Sequence, residues 1–136
     1  KTYCYRIWNS EAPCVFARRF VAVMPEQLDV EAMKQAADLL LGRHDFSAFC
    51  GNAKMKKSTV RELYAIDISR RGEEIQIRYT GNGFLYNMAR ILTGTLVEVG
   101  RGEREADSIP ALFGAKREQA GFLAPAQGLC LEEVIY

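Results

Sequence analysis

Apolar and polar residues alternate from the first positions of the chain. In TYCYRIW, Thr2 to Trp8, the side chains of Tyr3, Tyr5 and Ile7 fall on one face, and a period of two predicts a strand. After a loop containing Pro13, FARRFVAVM predicts a second strand. The period then lengthens. Met33, Ala36, Ala37, Leu40 and Leu41 recur at helical spacing behind Asp29, a favoured N-cap type, and Gly42 stands at the stop, so an amphipathic helix is expected. His44 to Phe49 reads as a short connection, and Gly51 to Ser58 as a polar, lysine-rich loop. A hairpin follows. Tyr64, Ile66 and Ile68 alternate on one arm, Ile75, Ile77 and Tyr79 on the other, and Arg71-Gly72 supplies the turn.

The stretch GNGFLYNMAR, Gly81 to Arg90, changes character within ten residues. Two glycines around Asn82 read as a turn that ends a strand. From Phe84 through to Gly100 the pattern is helical: Phe84, Met88, Ile91 and Thr95 make one stripe, with Leu85, Leu92 and Leu96 beside it. Arg90 lies in mid-course, about 200° around the wheel from Met88 and on the side of Tyr86. A shorter helix is expected around Ile109 to Lys116, and LCLEEVIY after Pro125 reads as a final strand. The order is strand, strand, helix, strand, strand, helix, helix, strand. It predicts a single α+β domain over residues 1–136, with an antiparallel or mixed sheet and helices packed on one face.

Composition narrows the class. A chain of 136 residues is long enough for one domain with a proper core. No apolar run approaches the roughly 20 residues of a membrane helix, and no signal peptide opens the chain, so a cytoplasmic protein is expected. Lys1 leads straight into a strand without an initiator methionine, so a piece of a longer protein is expected. A net charge of +1 neither requires nor excludes a nucleic-acid partner. Basic residues do cluster: Arg18 and Arg19, then Lys54, Lys56, Lys57 and Arg61, then Arg70 and Arg71, runs that solvated surface also explains. Cys4, Cys14, Cys50 and Cys130 are scattered without a C-x-x-C pair, which argues against zinc and for reduced thiols.

Candidate chemistry is sparse. An arginine in a largely apolar helix must reach solvent or meet an anion, and periodicity leaves Arg90 balanced between the two. Tyr3 is either core packing with its hydroxyl at the rim or a stacking platform for a flat ring. His44 and Asp45 are chain neighbours whose side chains diverge; no Gly-x-Ser-x-Gly elbow accompanies them, so a nucleophilic triad is not expected, and Asp45 suits a local turn cap. No Walker loop or dinucleotide fingerprint is present.

Five segments, in order, resemble the C-terminal half of the tRNA pseudouridine synthase A family. They are KTYCYRI, LLLGRHDFSAFC, STVRELYAIDI, GNGFLYNMARILTGTLVEVG and REQAGFLAPAQGLCLEEVIY, and together they cover most of the chain. The resemblance implies a pseudouridine synthase-like fold and an isomerase that detaches uracil from its ribose and rejoins it through carbon. It implies tRNA as partner, with targets among the thirty-eighth to fortieth nucleotides of the anticodon stem-loop. It implies a homodimer, and no cofactor or metal. By motif, Tyr3 matches the family's active-site tyrosine and Arg90 the arginine paired to its catalytic aspartate. Asn82, Gly83 and Phe84 would border the substrate pocket, and Lys54, Lys56, Lys57 and Arg61 would meet RNA phosphates. One departure matters most. The family's aspartate lies in a Gly-Arg-Thr-Asp-x-Gly motif of its N-terminal half, and none of Asp29, Asp38, Asp45, Asp67 and Asp107 lies in such a motif. The nucleophile is therefore expected from an N-terminal domain. Phe122-Leu123 also departs, since the family more often has a threonine before Ala-Pro-Ala. The alternative is a stand-alone RNA-binding module without catalysis. A purely structural or dimerisation domain would show no salt-dependent tRNA binding.

Overall fold

Strand β1 (Thr2–Trp8) is the spine of the sheet. In a computed structural model describing residues 1–12, 20–52, 54 and 57–133, it pairs on one side, antiparallel, with β5 (Glu74–Gly81). On the other side it meets two strands. Its first half pairs antiparallel with β6 (Leu129–Glu133), and its end pairs parallel with β2 (Ala22–Val23). Beyond β5 lie β4 (Val60–Arg71) and β3 (Gly42–Asp45), both antiparallel. The six strands form one mixed sheet. Helices α1 (Val30–Leu40) and α2 (Met88–Gly100) pack against each other and against the face that carries Tyr5, Ile7, Ile75, Ile77 and Tyr79. The α+β arrangement with helices on one face is as expected.

Local chemistry explains the boundaries. The Asp29 carboxylate accepts the Ala32 amide at 3.1 Å and caps α1, and the Asp29 amide donates to the Gly100 carbonyl at 2.9 Å, tying the start of α1 to the end of α2. Asp29→Ala should cost about 1 kcal/mol, read as a lower urea midpoint at unchanged slope. Gly42 stops the helix in a backbone of φ 100° that only glycine adopts freely.

Four expectations need correction. The connection placed at His44 to Phe49 is instead strand β3 running into a 3-10 turn at Ser47–Phe49; with one polar residue after another, it shows no alternation to announce it. Tyr64 does not share the buried face of Ile66 and Ile68. The register slips between Leu63 and Ala65, so Leu63 turns inward and Tyr64 is 56% exposed. The long helix begins at Met88 rather than after Gly83, which puts Arg90 in its first turn rather than in mid-course. The helix placed at Ile109 to Lys116 is a 3-10 segment, Ala106–Leu112, with Pro110 inside, because proline removes an amide that an α-helix would use. Phe16 to Arg19 of FARRFVAVM lie outside the described residues, and its described strand is Ala22–Val23.

Helix α2 also lacks the open polar face that a single stripe implies. It is buried on nearly every side, because residues 120–125 run along its far flank. The Gly121 amide donates to Thr95 Oγ1 at 2.8 Å, the Phe122 amide to Glu98 Oε2 at 3.1 Å, and the Ala124 amide to the Arg90 carbonyl at 3.3 Å.

Candidate active site

Where β1 begins and α2 begins, a half-open cavity of about 300 Å³ lies at the surface. Tyr3, Phe84, Tyr86, Asn87, Met88 and Leu129 are among its walls. Tyr3 reaches it because alternation along β1 sets Tyr3, Tyr5 and Ile7 toward the helices. Its ring, half-buried, meets the edge of Phe84 at 4.9 Å and 81°, a favourable aromatic geometry. Tyr86 is the exposed member, at 66%. Its carbonyl is pinned by the Gly51 amide at 2.8 Å. A Cβ at Gly51 would lie 3.0 Å from the Tyr86 ring and 3.1 Å from Asn87 Nδ2, so a larger residue there would make both side chains give way by a few tenths of an ångström.

Asn87 is the residue that sequence reasoning missed. At φ 59° and ψ 13° it is the one non-glycine among the described residues with positive φ, a conformation asparagine tolerates better than most. The bend turns the chain from the Phe84–Tyr86 segment into α2. An asparagine directly ahead of Met-Ala-Arg is a visible signal for such a bend, but reading the helix straight through it hides the signal.

Arg90 stands in the first turn of α2. Its Nε donates to the Ala124 carbonyl at 2.7 Å and its Nη1 to Asn87 Oδ1 at 3.3 Å. No carboxylate among the described residues pairs with it, and Nη2 has no protein acceptor among them. The guanidinium is thus held in place on one side and open on the other. Its charge is felt nearby: burial pushes the Tyr5 hydroxyl well above the ordinary tyrosine range, while Arg90 pulls it the other way. That hydroxyl donates to the Pro125 carbonyl at 2.5 Å, so Tyr5 and Arg90 grip neighbouring carbonyls of one segment.

The other candidates separate. Phe84 lines the cavity, but Asn82 and Gly83 do not. Asn82 clips the hairpin: its Oδ1 accepts the Glu62 amide at 2.9 Å, and its own amide donates to the Glu62 carbonyl at 3.0 Å. Gly83 lies against the Arg61 side chain, which donates to the carbonyls of Ser58 and Val60. Lys54 and Lys57 are exposed, and Lys56 lies outside the described residues, as do Arg18 and Arg19. His44 stacks on Phe113 at 3.8 Å and hydrogen-bonds the Leu41 carbonyl at 2.8 Å. Asp45 accepts the Ser47 amide at 3.0 Å and the Thr59 hydroxyl at 2.5 Å, a turn cap and no triad. A larger hollow, about 770 Å³, opens at the far end of α2 between Asp29, Arg70, Arg101 and Arg104. It presents no aromatic wall, and its arginines are engaged by Asn9, Glu26 and Glu98.

The family model described as tRNA pseudouridine synthase matches residues 36–136. A tRNA pseudouridine synthase A 2 of Bacillus cereus is 46% identical over 135 residues, covering 98% of this chain and 55% of that protein. The tRNA pseudouridine synthase A of Syntrophotalea carbinolica is 47% identical over 137 residues, covering 100% and 54%. A tRNA pseudouridine synthase A 2 of Clostridium perfringens is 44% identical over 137 residues, covering 100% and 56%. The chain spans about half the length of the curated relatives it matches.

Proposed function

We propose that this chain, which belongs to the tRNA pseudouridine synthase family, is the C-terminal domain of an isomerase that converts uridine to pseudouridine in tRNA. Arg90 carries the reading. A guanidinium held by two neutral acceptors, with no carboxylate partner among the described residues, sits beside an aromatic cavity. A half-site of that shape calls for a carboxylate from outside the described residues, and an N-terminal half is the source.

Each residue then has a role. A uridine inside a folded arm is flipped out before chemistry can reach it. Tyr3, backed by Phe84, offers its face to the uracil and keeps it from escaping while it turns between its nitrogen and carbon attachments. The Tyr3 hydroxyl is within the chemistry that removes the C5 proton. Arg90 forks onto the aspartate, orients it and favours its ionised, nucleophilic form. Asn82 and Gly83 support the wall by holding the hairpin that leads into Phe84. Lys54, Lys56, Lys57 and Arg61 meet phosphates of the anticodon stem-loop and position the thirty-eighth to fortieth nucleotides. The enzyme works without cofactor, as a homodimer.

The test is reconstitution. The 136-residue chain, incubated with unmodified tRNA, should form no pseudouridine, while fusing it behind an N-terminal half from a relative should produce turnover. Full activity from these residues alone would sink the half-site reading. Salt-dependent tRNA binding that never gains turnover on fusion would select a binding module instead.

A further inference from the structure

We propose that Cys4 and Cys130 are a redox modification site, a pair of thiols that hydrogen peroxide closes into a disulfide stapling β6 to β1. The two residues stand directly opposite each other in the antiparallel ladder, within a regular run from Tyr3 opposite Leu131 to Tyr5 opposite Leu129. Directly opposed residues share a face of the sheet. Their Cα atoms are about 4.5–5.5 Å apart whichever kind of pair they form, inside the roughly 4.4–6.8 Å that a disulfide spans. Both thiols are free. In the reduced state each has another neighbour: Cys130 Sγ lies 3.7 Å from the Leu131 carbonyl, and Cys4 lies under the Arg78–Glu132 ion pair. A side-chain rotation on each strand, without a change of register, brings the sulfurs together. Cys50, the remaining described cysteine, is buried and lies on neither strand.

The order of events follows from exposure. Cys130 is exposed and Cys4 buried, so the Cys130 thiolate attacks hydrogen peroxide first, forming a sulfenic acid and expelling hydroxide, which is protonated to water. The Cys4 thiolate then attacks the sulfenic sulfur, and hydroxide leaves and is protonated to a second water. Two thiols and one peroxide become one disulfide and two waters. Burial, helped by Glu132, pushes the Cys4 thiol up to about 11, so its thiolate is scarce near neutrality and closure accelerates as pH rises. Cys4 sits between Tyr3 and Tyr5, and Leu129 beside Cys130 lines the cavity. The staple therefore fixes one wall of the site described above, although it depends on no assignment of that site's activity.

The experiment is oxidation of the 136-residue chain with dilute hydrogen peroxide between about pH 7 and 9, the range in which thiolate content rises. The expected product has lost two hydrogens in intact mass, yields a Cys4–Cys130 linked peptide, forms faster at the higher pH and reverts with dithiothreitol. Its Tm should rise by roughly 10 °C, because the bond closes a loop of more than a hundred residues. Cys130→Ser should abolish the linked peptide, and Cys14→Ser should leave it intact. Addition of oxygen at Cys130 without a link, a link through Cys14 or Cys50, or dimers between chains would each overturn the proposal.

Discussion

Arg90→Ala, introduced into a form of the protein that carries the N-terminal half, should lower the rate of pseudouridine formation about a thousandfold while tRNA affinity moves less than threefold. On the proposed half-site, the magnitude follows from stranding the carboxylate that Arg90 would hold. Removing one member of such a pair costs about 3–5 kcal/mol, and if the loss is felt at the nucleophile it appears in turnover rather than binding. Arg90→Lys separates charge from geometry. Lysine keeps the cation but cannot reproduce the fork, nor hold the Ala124 carbonyl and Asn87 Oδ1 while reaching a third group. A loss of about ten- to a hundredfold is expected for it. Single-turnover kinetics on labelled tRNA, with filter binding and thermal melts of the same samples, distinguish the cases. If Arg90→Ala weakened tRNA binding and left the single-turnover rate alone, Arg90 would be a phosphate contact and the half-site reading would fail.

Elements held by short-range rules were legible in the chain. Alternation gave away β1 and the hairpin, and Asp29 and Gly42 bracketed α1. What escaped depends on contacts between distant segments. The Leu63 bulge is set by how β4 meets the end of β5 at Gly81, where a side chain would sit 2.8 Å from the Glu62 carbonyl. Nothing in ELYAI announces it. Strand β3 has no apolar rhythm and exists because β4 offers it an edge.

The candidate site shows the same division. The residue types of Tyr3, Phe84 and Arg90 could be singled out in advance, and the fold brings Tyr3 and Phe84 into contact with Arg90 one residue link away, through Asn87. The posture of Arg90 could not be foreseen. It is set by the Ala124 carbonyl, thirty-four positions later, in a segment whose path along α2 leaves no periodic trace. Helical-wheel reasoning put Arg90 on the side of Tyr86, yet Tyr86 precedes the helix and shares no helical face with it.

That path along α2 makes Gly94 the most sensitive position outside the cavity. On helix propensity alone, Gly94→Ala should stabilise α2 by about 1 kcal/mol. Packing reverses the sign. A Cβ there would lie 1.8 Å from the Phe122 carbonyl oxygen and 2.7 Å from its carbon. Both are backbone atoms and cannot swing aside as a flexible side chain would. Nor can the segment retreat freely, since a Cβ at Gly121 would lie 2.4 Å from the Thr95 nitrogen of α2 and the Gly121 amide is bonded to the Thr95 hydroxyl. Moving it also withdraws the Ala124 and Pro125 carbonyls from Arg90 and Tyr5. A net destabilisation of about 3–5 kcal/mol is expected, as for severe overpacking with loss of a buried hydrogen-bond network. Ala89→Gly in the same helix provides a comparison: it gives up about 1 kcal/mol of propensity together with about 1 kcal/mol for one buried methyl, and creates no clash. Urea unfolding of both variants decides between propensity and packing, and a Gly94→Ala protein as stable as the parent would mean that residues 120–125 do not lie against α2.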